Sequence, residues 1–78
     1  MDTAGLQKAI NLAGSQSALA SLIDKRQSNI STWLHRDNRV PAEAVIPIAA
    51  ALDYQVTPHE LRPDLYPHHE DGMRVRAA

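Results

Sequence analysis

The sequence predicts an all-α fold, a compact bundle of about five short helices. Apolar residues recur at helical spacing in several short stretches, and no strand-like pattern extends beyond three residues. Gly14, a polar triplet at residues 24–26 and the five prolines separate these stretches. Each helix is therefore expected to be only two or three turns long.

Chain length and composition limit what this fold can do. Seventy-eight residues form one domain, and 44% hydrophobic residues with no Phe and one Trp imply a thin core of Leu, Ile, Val and Ala. A large catalytic cavity is not expected. Residues 1–67 are predicted to form the domain, and residues 68–78 a flexible C-terminal tail with almost nothing apolar to bury.

The expected location is the cytoplasm. The chain has no cysteine for a disulfide, and its N-terminus lacks the pattern of a signal peptide. Its longest apolar stretch, Ala44 to Leu52, is about half a membrane span and contains Pro47. We therefore expect a soluble protein without a membrane role.

The first three helices follow from their caps and apolar spacing. Thr3 and Gly14 are expected to begin and end helix 1, and Ser15 to cap helix 2. After residues 24–26, helix 3 is expected over residues 27–34. The predicted inward side chains are Leu6, Ala9, Ile10, Ala13, Leu19, Ala20, Ile23, Ile30, Trp33 and Leu34.

Prolines shape the second half of the chain. Pro41 is expected at the first position of a short turn over residues 42–45. Because a proline inside a helix costs about 3 kcal/mol, a new helix is expected to start at Pro47. Thr57, Pro58 and Glu60 combine an N-cap, a first-turn proline and a capping box, which predicts a last turn through Leu61.

Charge is unevenly distributed along the chain. The net charge is −1, but residues 25–39 carry four cations against one Asp, a net charge of +3. Residues 53–71 carry five carboxylates against one Arg, a net charge of −4. The basic part coincides with helix 3, where Lys25, Arg26, Arg36 and Arg39 lie at positions suited to DNA phosphates.

Residues 14–34, GSQSALASLIDKRQSNISTWL, have the spacing of a helix-turn-helix. Two short helices are joined by a three-residue turn, with small Ala20 where they approach most closely. We assign Trp33 to the core rather than to base stacking. The outer face of helix 3 carries amides and hydroxyls that match base edges in the major groove: Gln27, Ser28, Asn29 and Thr32.

These residues resemble the Cro and phage-repressor superfamily, most closely its small Cro-like prophage regulators of the YdaS antitoxin type. The similarity lies in GSQSALA, Ser31-Thr32-Trp33, Val40-Pro41-Ala42-Glu43 and Glu60-Leu61-Arg62-Pro63-Asp64. It implies a lambda repressor-like DNA-binding domain. The implied base contacts are Arg26, Gln27, Ser28, Asn29 and Thr32; the implied phosphate contacts are Gln16, Ser17, Lys25, His35, Arg36 and Arg39. Asp24 stands where the superfamily usually has a turn glycine.

The sequence therefore predicts a transcriptional regulator, a Cro-like repressor of a phage or prophage operator. Its partner would be double-stranded operator DNA, bound by a homodimer. The surfaces proposed for the dimer contact are residues 45–54 and 65–66. No nucleophile motif, paired carboxylates or phosphate loop indicates an enzyme, and no cofactor is expected.

Two alternatives remain open from the sequence. The acidic residues 53–71 are also consistent with an antitoxin or interaction module that holds a toxin or a host regulatory protein. A structural or adaptor domain without nucleic acid is the other alternative. The run His68-His69-Glu70-Asp71 is not predicted to be a metal site, since a proline-broken tail supplies no fixed geometry.

Overall fold

The computed structural model describes residues 3–68, 71 and 72, and these contain five α-helices and no strand. The all-α prediction is confirmed. A π-helical turn, Thr32–Arg36, continues the third helix directly. The helices are α1 (Ala4–Ala13), α2 (Gln16–Leu22), α3 (Gln27–Ser31), α4 (Ala42–Ala51) and α5 (Pro58–Leu61).

Gly14, Ser15 and Thr57 cap their helices where the sequence predicts. Gly14 ends α1 with a φ of 112°, which an L side chain rarely adopts. The Ser15 hydroxyl accepts the Ala18 N–H at 3.0 Å. At α5, Thr57 Oγ1 accepts the Glu60 N–H at 3.1 Å, and Glu60 Oε1 accepts the Thr57 N–H at 2.9 Å. Thr3 differs, because its hydroxyl accepts from the Gln7 side chain instead of a backbone N–H.

The predicted break before Pro47 is wrong, since α4 is one continuous helix. Pro47 removes the N–H that would donate to the Glu43 carbonyl, but both residues are exposed, so water can bind that carbonyl. Pro41 is the N-cap and not the first helical residue. The helix continues past Pro47 because burial of one face stabilises it. That face comprises Ala44, Val45, Ile48 and Ala49.

The core lies between the helices and leaves one face of α3 outside. Trp33 is 8% exposed and belongs to the core, as predicted. Val40 and Val56, which lie in loops, are buried as well, although helical spacing does not identify them. The largest fully buried side chains on the α-helices are Leu6, Leu19, Ile30, Ile48 and Leu61. The outward face of α3 is thereby held on a rigid support.

Helices α1 and α5 meet at Gly5. A Cβ atom on this residue would lie 2.6 Å from the Glu60 carbonyl carbon and 2.9 Å from the Leu61 nitrogen. Beside this contact, Lys8 Nζ lies 3.0 Å from Glu60 Oε2. Burial raises the pKa of Glu60, but hydrogen bonds from Thr57 and Lys8 outweigh it, and the pKa is lowered overall. The contact positions α5, and with it the segment that follows.

Candidate nucleic-acid interface

The connection between α2 and α3 contains a left-handed residue. It runs from Ile23, the C-cap of α2, to Arg26, the N-cap of α3, and is one residue longer than predicted. Asp24 has a φ of 59°. The Lys25 N–H donates to the Ala20 carbonyl at 2.8 Å and closes the turn. Asp24 therefore adopts the conformation that a turn glycine would adopt, at the cost of backbone strain.

Asn29 stabilises the start of α3. Its Oδ1 accepts the Arg26 backbone N–H at 3.1 Å, while the Arg26 carbonyl accepts the Asn29 N–H at 3.0 Å. The side-chain oxygen of this predicted base reader is thus bonded within the protein. Its amide nitrogen is the group left for an outside partner.

A glutamine pair joins the two helices of the motif. Gln27 Nε2, on the first residue of α3, donates to Gln16 Oε1, on the first residue of α2, at 2.7 Å. Gln27 is exposed and Gln16 is half-buried. Both residues were predicted to contact DNA, but the hydrogen bond between them was not predicted. The hydrogen bond restricts the rotamer of Gln27 before any ligand arrives, while the Gln27 Oε1 acceptor stays outside this bond.

The other predicted site residues surround this pair on the surface. Ser17, Arg26 and Ser28 are exposed, and Thr32, where the π-helical turn begins, is half-buried. The remaining predicted phosphate contacts, also exposed, are Lys25, His35, Arg36 and Arg39. In the described part of the chain, none of these basic side chains forms an ion pair. Their charges are therefore available to an anionic partner.

The π-helical turn sets the direction of the chain after α3. The Asp37 N–H donates to the Thr32 carbonyl at 2.9 Å, and the Arg39 N–H donates to the Trp33 carbonyl at 3.0 Å. Asn38 between them has a φ of 56°. Since Trp33 is buried, these bonds connect the exposed basic segment to the core.

Comparison with known proteins identifies the family. The family model described as bacterial toxin YdaS matches residues 6–70. The chain belongs to this family. The solved structure of the Cro protein from the putative prophage element Xfaso 1 in Xylella fastidiosa strain Ann-1 is also similar. That protein is 47% identical, with a TM-score of 0.75, and the match covers 80% of this chain and 94% of that chain. No curated protein matches the sequence. The predicted resemblance is confirmed.

In this member of the YdaS family, Arg62 has a structural role that was not predicted from the sequence. The sequence indicates Arg62 only as one cation in an acidic segment and as part of the family-like ending at residues 60–64, but the residue is 8% exposed. Its Nε and Nη2 donate to the two carboxylate oxygens of Asp64 at 2.9 and 2.7 Å, and its Nη1 donates to the Val40 carbonyl at 2.7 Å. These hydrogen bonds lower the pKa of Asp64 to about 2. The sequence signal for this ion pair was an Arg two residues before an Asp, with Pro63 between them.

Neither a metal-ligand cluster nor a helix of membrane-spanning length is present among the described residues. Residues 3–68, 71 and 72 contain no group of three side chains able to hold a metal ion. The run at residues 68–71 was not predicted to bind a metal; two of its residues, His69 and Glu70, lie outside the described residues. Residues 73–78 of the predicted tail also lie outside them. No helix in the described part is long and apolar enough to cross a membrane.

Asp24→Gly is expected to stabilise this YdaS family member by about 0.5–1 kcal/mol, because glycine adopts a positive φ without strain. It also removes a negative charge next to the exposed basic residues. Urea unfolding measures the stability. Asp53→Gly is the matched control. Asp53 also has a positive φ, 56°, so the substitution makes the same chemical change at a similar backbone conformation, but it lies beyond the C-terminal end of α4 and away from the turn. An equal or lower stability of Asp24→Gly relative to the parent would show that the turn is not strained.

Proposed function

We propose that the chain is a sequence-specific double-stranded DNA-binding regulator, a Cro-like repressor of a phage or prophage operator. The observation that carries the proposal is the Gln16–Gln27 hydrogen bond of 2.7 Å. It holds an amide in place at the first turn of α3. Basic side chains flank this helix and form no ion pair with any described residue. Gln can bond adenine in two places, and fixing its rotamer in advance reduces the entropic cost of doing so.

In this proposal, α3 lies in the major groove and its outer face reads the bases. Gln27 and Ser28 at the first turn and Thr32 one turn later contact base edges, with Arg26 and Asn29 beside them. Thr32 and Ser28 are four residues apart and share a helical face. Asn29 would contribute its amide nitrogen, since its oxygen already accepts the Arg26 N–H at the start of α3.

Phosphate contacts on both sides of α3 would fix its register on the duplex. Gln16 and Ser17 stand at the start of α2, and Lys25 precedes α3. His35, Arg36 and Arg39 follow it. Phosphate contacts position a protein without reading sequence, so specificity rests on α3. Occupancy of the operator then excludes polymerase or another regulator, and no chemical step is involved.

A homodimer would supply two recognition helices. Part of the predicted contact surface is unsuitable, because Val45, Ile48 and Ala49 are buried inside the protomer. Within the predicted surface, the exposed residues of α4 are Pro47, Ala50 and Ala51, and α4 carries a single charge, at Glu43. A helix that is apolar on nearly all sides normally has both faces covered. We therefore place the contact at this outer face, together with Leu65, which is 45% exposed.

A mobility shift on DNA upstream of the protein's own coding region tests the function, followed by a footprint. The expected footprint is a pseudo-palindrome with half-sites about 34 Å apart on one face of the duplex, because two-fold symmetry repeats the contacts one helical turn away. Random duplex of equal length and composition is the control. Equal affinity for both DNAs would contradict sequence-specific binding, and a single half-site protected at full affinity would contradict the dimer.

The family description favours a second function, in which the chain is part of a toxin system or an interaction module. The acidic residues 53–71 would then bind a partner protein. Overexpression in a bacterial host should slow growth, and Gln27→Ala separates the two functions. If growth recovers, the effect depends on the proposed DNA contact. If Gln27→Ala slows growth equally, while truncation after Pro67 abolishes the effect, the partner function is favoured.

A further inference from the structure

The loop between the recognition helix and α4 is fixed at two points. Residues 37–41, called here the α3–α4 loop, are held on one side by the Arg39 N–H, which donates to the Trp33 carbonyl at 3.0 Å. On the other side, the Val40 carbonyl accepts from Arg62 at 2.7 Å, a contact across 22 residues of sequence. The Cα atom of Arg39, which carries a proposed phosphate contact, lies between these two points.

The surroundings of Arg62 suit it to hold this loop and not to bind an anion itself. Its side chain is only 9% exposed, and all three of its nitrogens donate hydrogen bonds within the chain. Asp64 fixes the guanidinium through both oxygens, a bidentate geometry that constrains its orientation as well as its position. Arg62 and Arg39 line the same open groove of about 390 Å³. Because Arg62 bonds the Val40 carbonyl directly, a shift of the guanidinium would move the loop.

We propose that Arg62 and Asp64 are positioning residues for DNA binding, which hold the α3–α4 loop so that Arg39 meets a phosphate. Neither residue contacts DNA in this proposal, which rests on the proposed function. The affinity of the interface is thereby set in part by a segment that lies after the last helix.

The proposal and simple electrostatics predict opposite results for Asp64→Asn. The substitution keeps the shape of a side chain that is 40% exposed, and it removes one negative charge. Charge alone would strengthen binding to DNA. Loss of the bidentate pair instead frees Arg62 and the loop, so binding to operator and to random duplex should weaken by the same factor, about three- to tenfold, with a smaller salt dependence.

The experiment compares the full-length parent, Asp64→Asn and the charge-matched control Asp53→Asn by DNA titration at several salt concentrations. Asp53→Asn should bind at least as tightly as the parent. In an Arg39→Ala background, Asp64→Asn should have no further effect, because the proposed route runs through Arg39; a general loss of stability would act in both backgrounds. Circular dichroism verifies that each variant is folded.

Amide hydrogen exchange gives a readout without DNA. The Arg39 N–H, bonded to the Trp33 carbonyl, should exchange faster in Asp64→Asn than in the parent or in Asp53→Asn. Asp64→Asn that binds as tightly as Asp53→Asn, or leaves Arg39 exchange unchanged, overturns the proposal while the proposed function stands. A parent that binds no DNA overturns the proposed function itself.

Discussion

Gly5→Ala is expected to destabilise the protein by about 3 kcal/mol or more, because α1 and α5 leave no space for the added methyl group. The added Cβ would collide with the backbone of Glu60 and Leu61: it would meet the Glu60 carbonyl oxygen first, and would lie 2.6 Å from the Glu60 carbonyl carbon and 2.9 Å from the Leu61 nitrogen. Backbone atoms at a helix contact cannot rotate away as a flexible side chain can. Relief requires α1 and α5 to separate, which exposes Leu6 and Leu61. Urea unfolding followed by circular dichroism measures the change.

Asn11→Ala is the matched control for this prediction. Asn11 is exposed on the same helix, so the substitution there should change stability by less than about 0.5 kcal/mol. Since a domain of this size has a stability of only about 5–10 kcal/mol, a Gly5→Ala variant should also melt at a clearly lower temperature. If Gly5→Ala were as stable as Asn11→Ala, the close approach of α1 and α5 would be wrong.

Substitutions on α3 and in the basic segment after it should separate sequence reading from backbone contact. Gln27→Ala and Thr32→Ala are each expected to cost about 1–3 kcal/mol on the operator, to relax the preference at one or two base pairs, and to leave affinity for random DNA nearly unchanged. Arg36→Ala and Arg39→Ala should weaken binding to all sequences similarly. Each should also reduce the salt slope by about one unit, because one phosphate contact is lost.

The glutamine pair makes this prediction sharper. If Gln16 acts by orienting Gln27, Gln16→Ala should lose part of the same base preference, and the double variant should lose less than the sum of the two singles. Gln16 as a phosphate contact alone would give additive losses. Competition titrations with single base-pair changes in each half-site measure the preference. Base preference altered by Arg36→Ala and Arg39→Ala but not by Gln27→Ala would place a different surface against the bases.

Most of the helical elements were predictable from the sequence because their signals are local. Ser15 and Thr57 find their hydrogen-bond partners three residues away, and Gly14 needs only its own backbone freedom. The same holds for the outer face of α3, since the inward positions of Ile30 and Trp33 determine which residues remain outside.

The helix break predicted at Pro47 is wrong because tertiary packing outweighs the low helix propensity of proline there. An isolated helix of this length would end at such a residue, but the buried face of α4 contributes more than one lost hydrogen bond on the solvent side costs. The burial of Val40 and Val56 in loops had no periodic signal. Tertiary contacts alone placed those two side chains inside.

The sequence by itself determined the helix-turn-helix, its basic flank and the polar residues that α3 presents. The tertiary structure decided how these groups are held: Gln16 against Gln27, Arg62 on the Val40 carbonyl, and Gly5 against α5. The physical reason is distance along the chain. A cap or a helical face is defined within one turn, whereas these contacts join residues from separate helices and loops, and only the packed core brings those segments together.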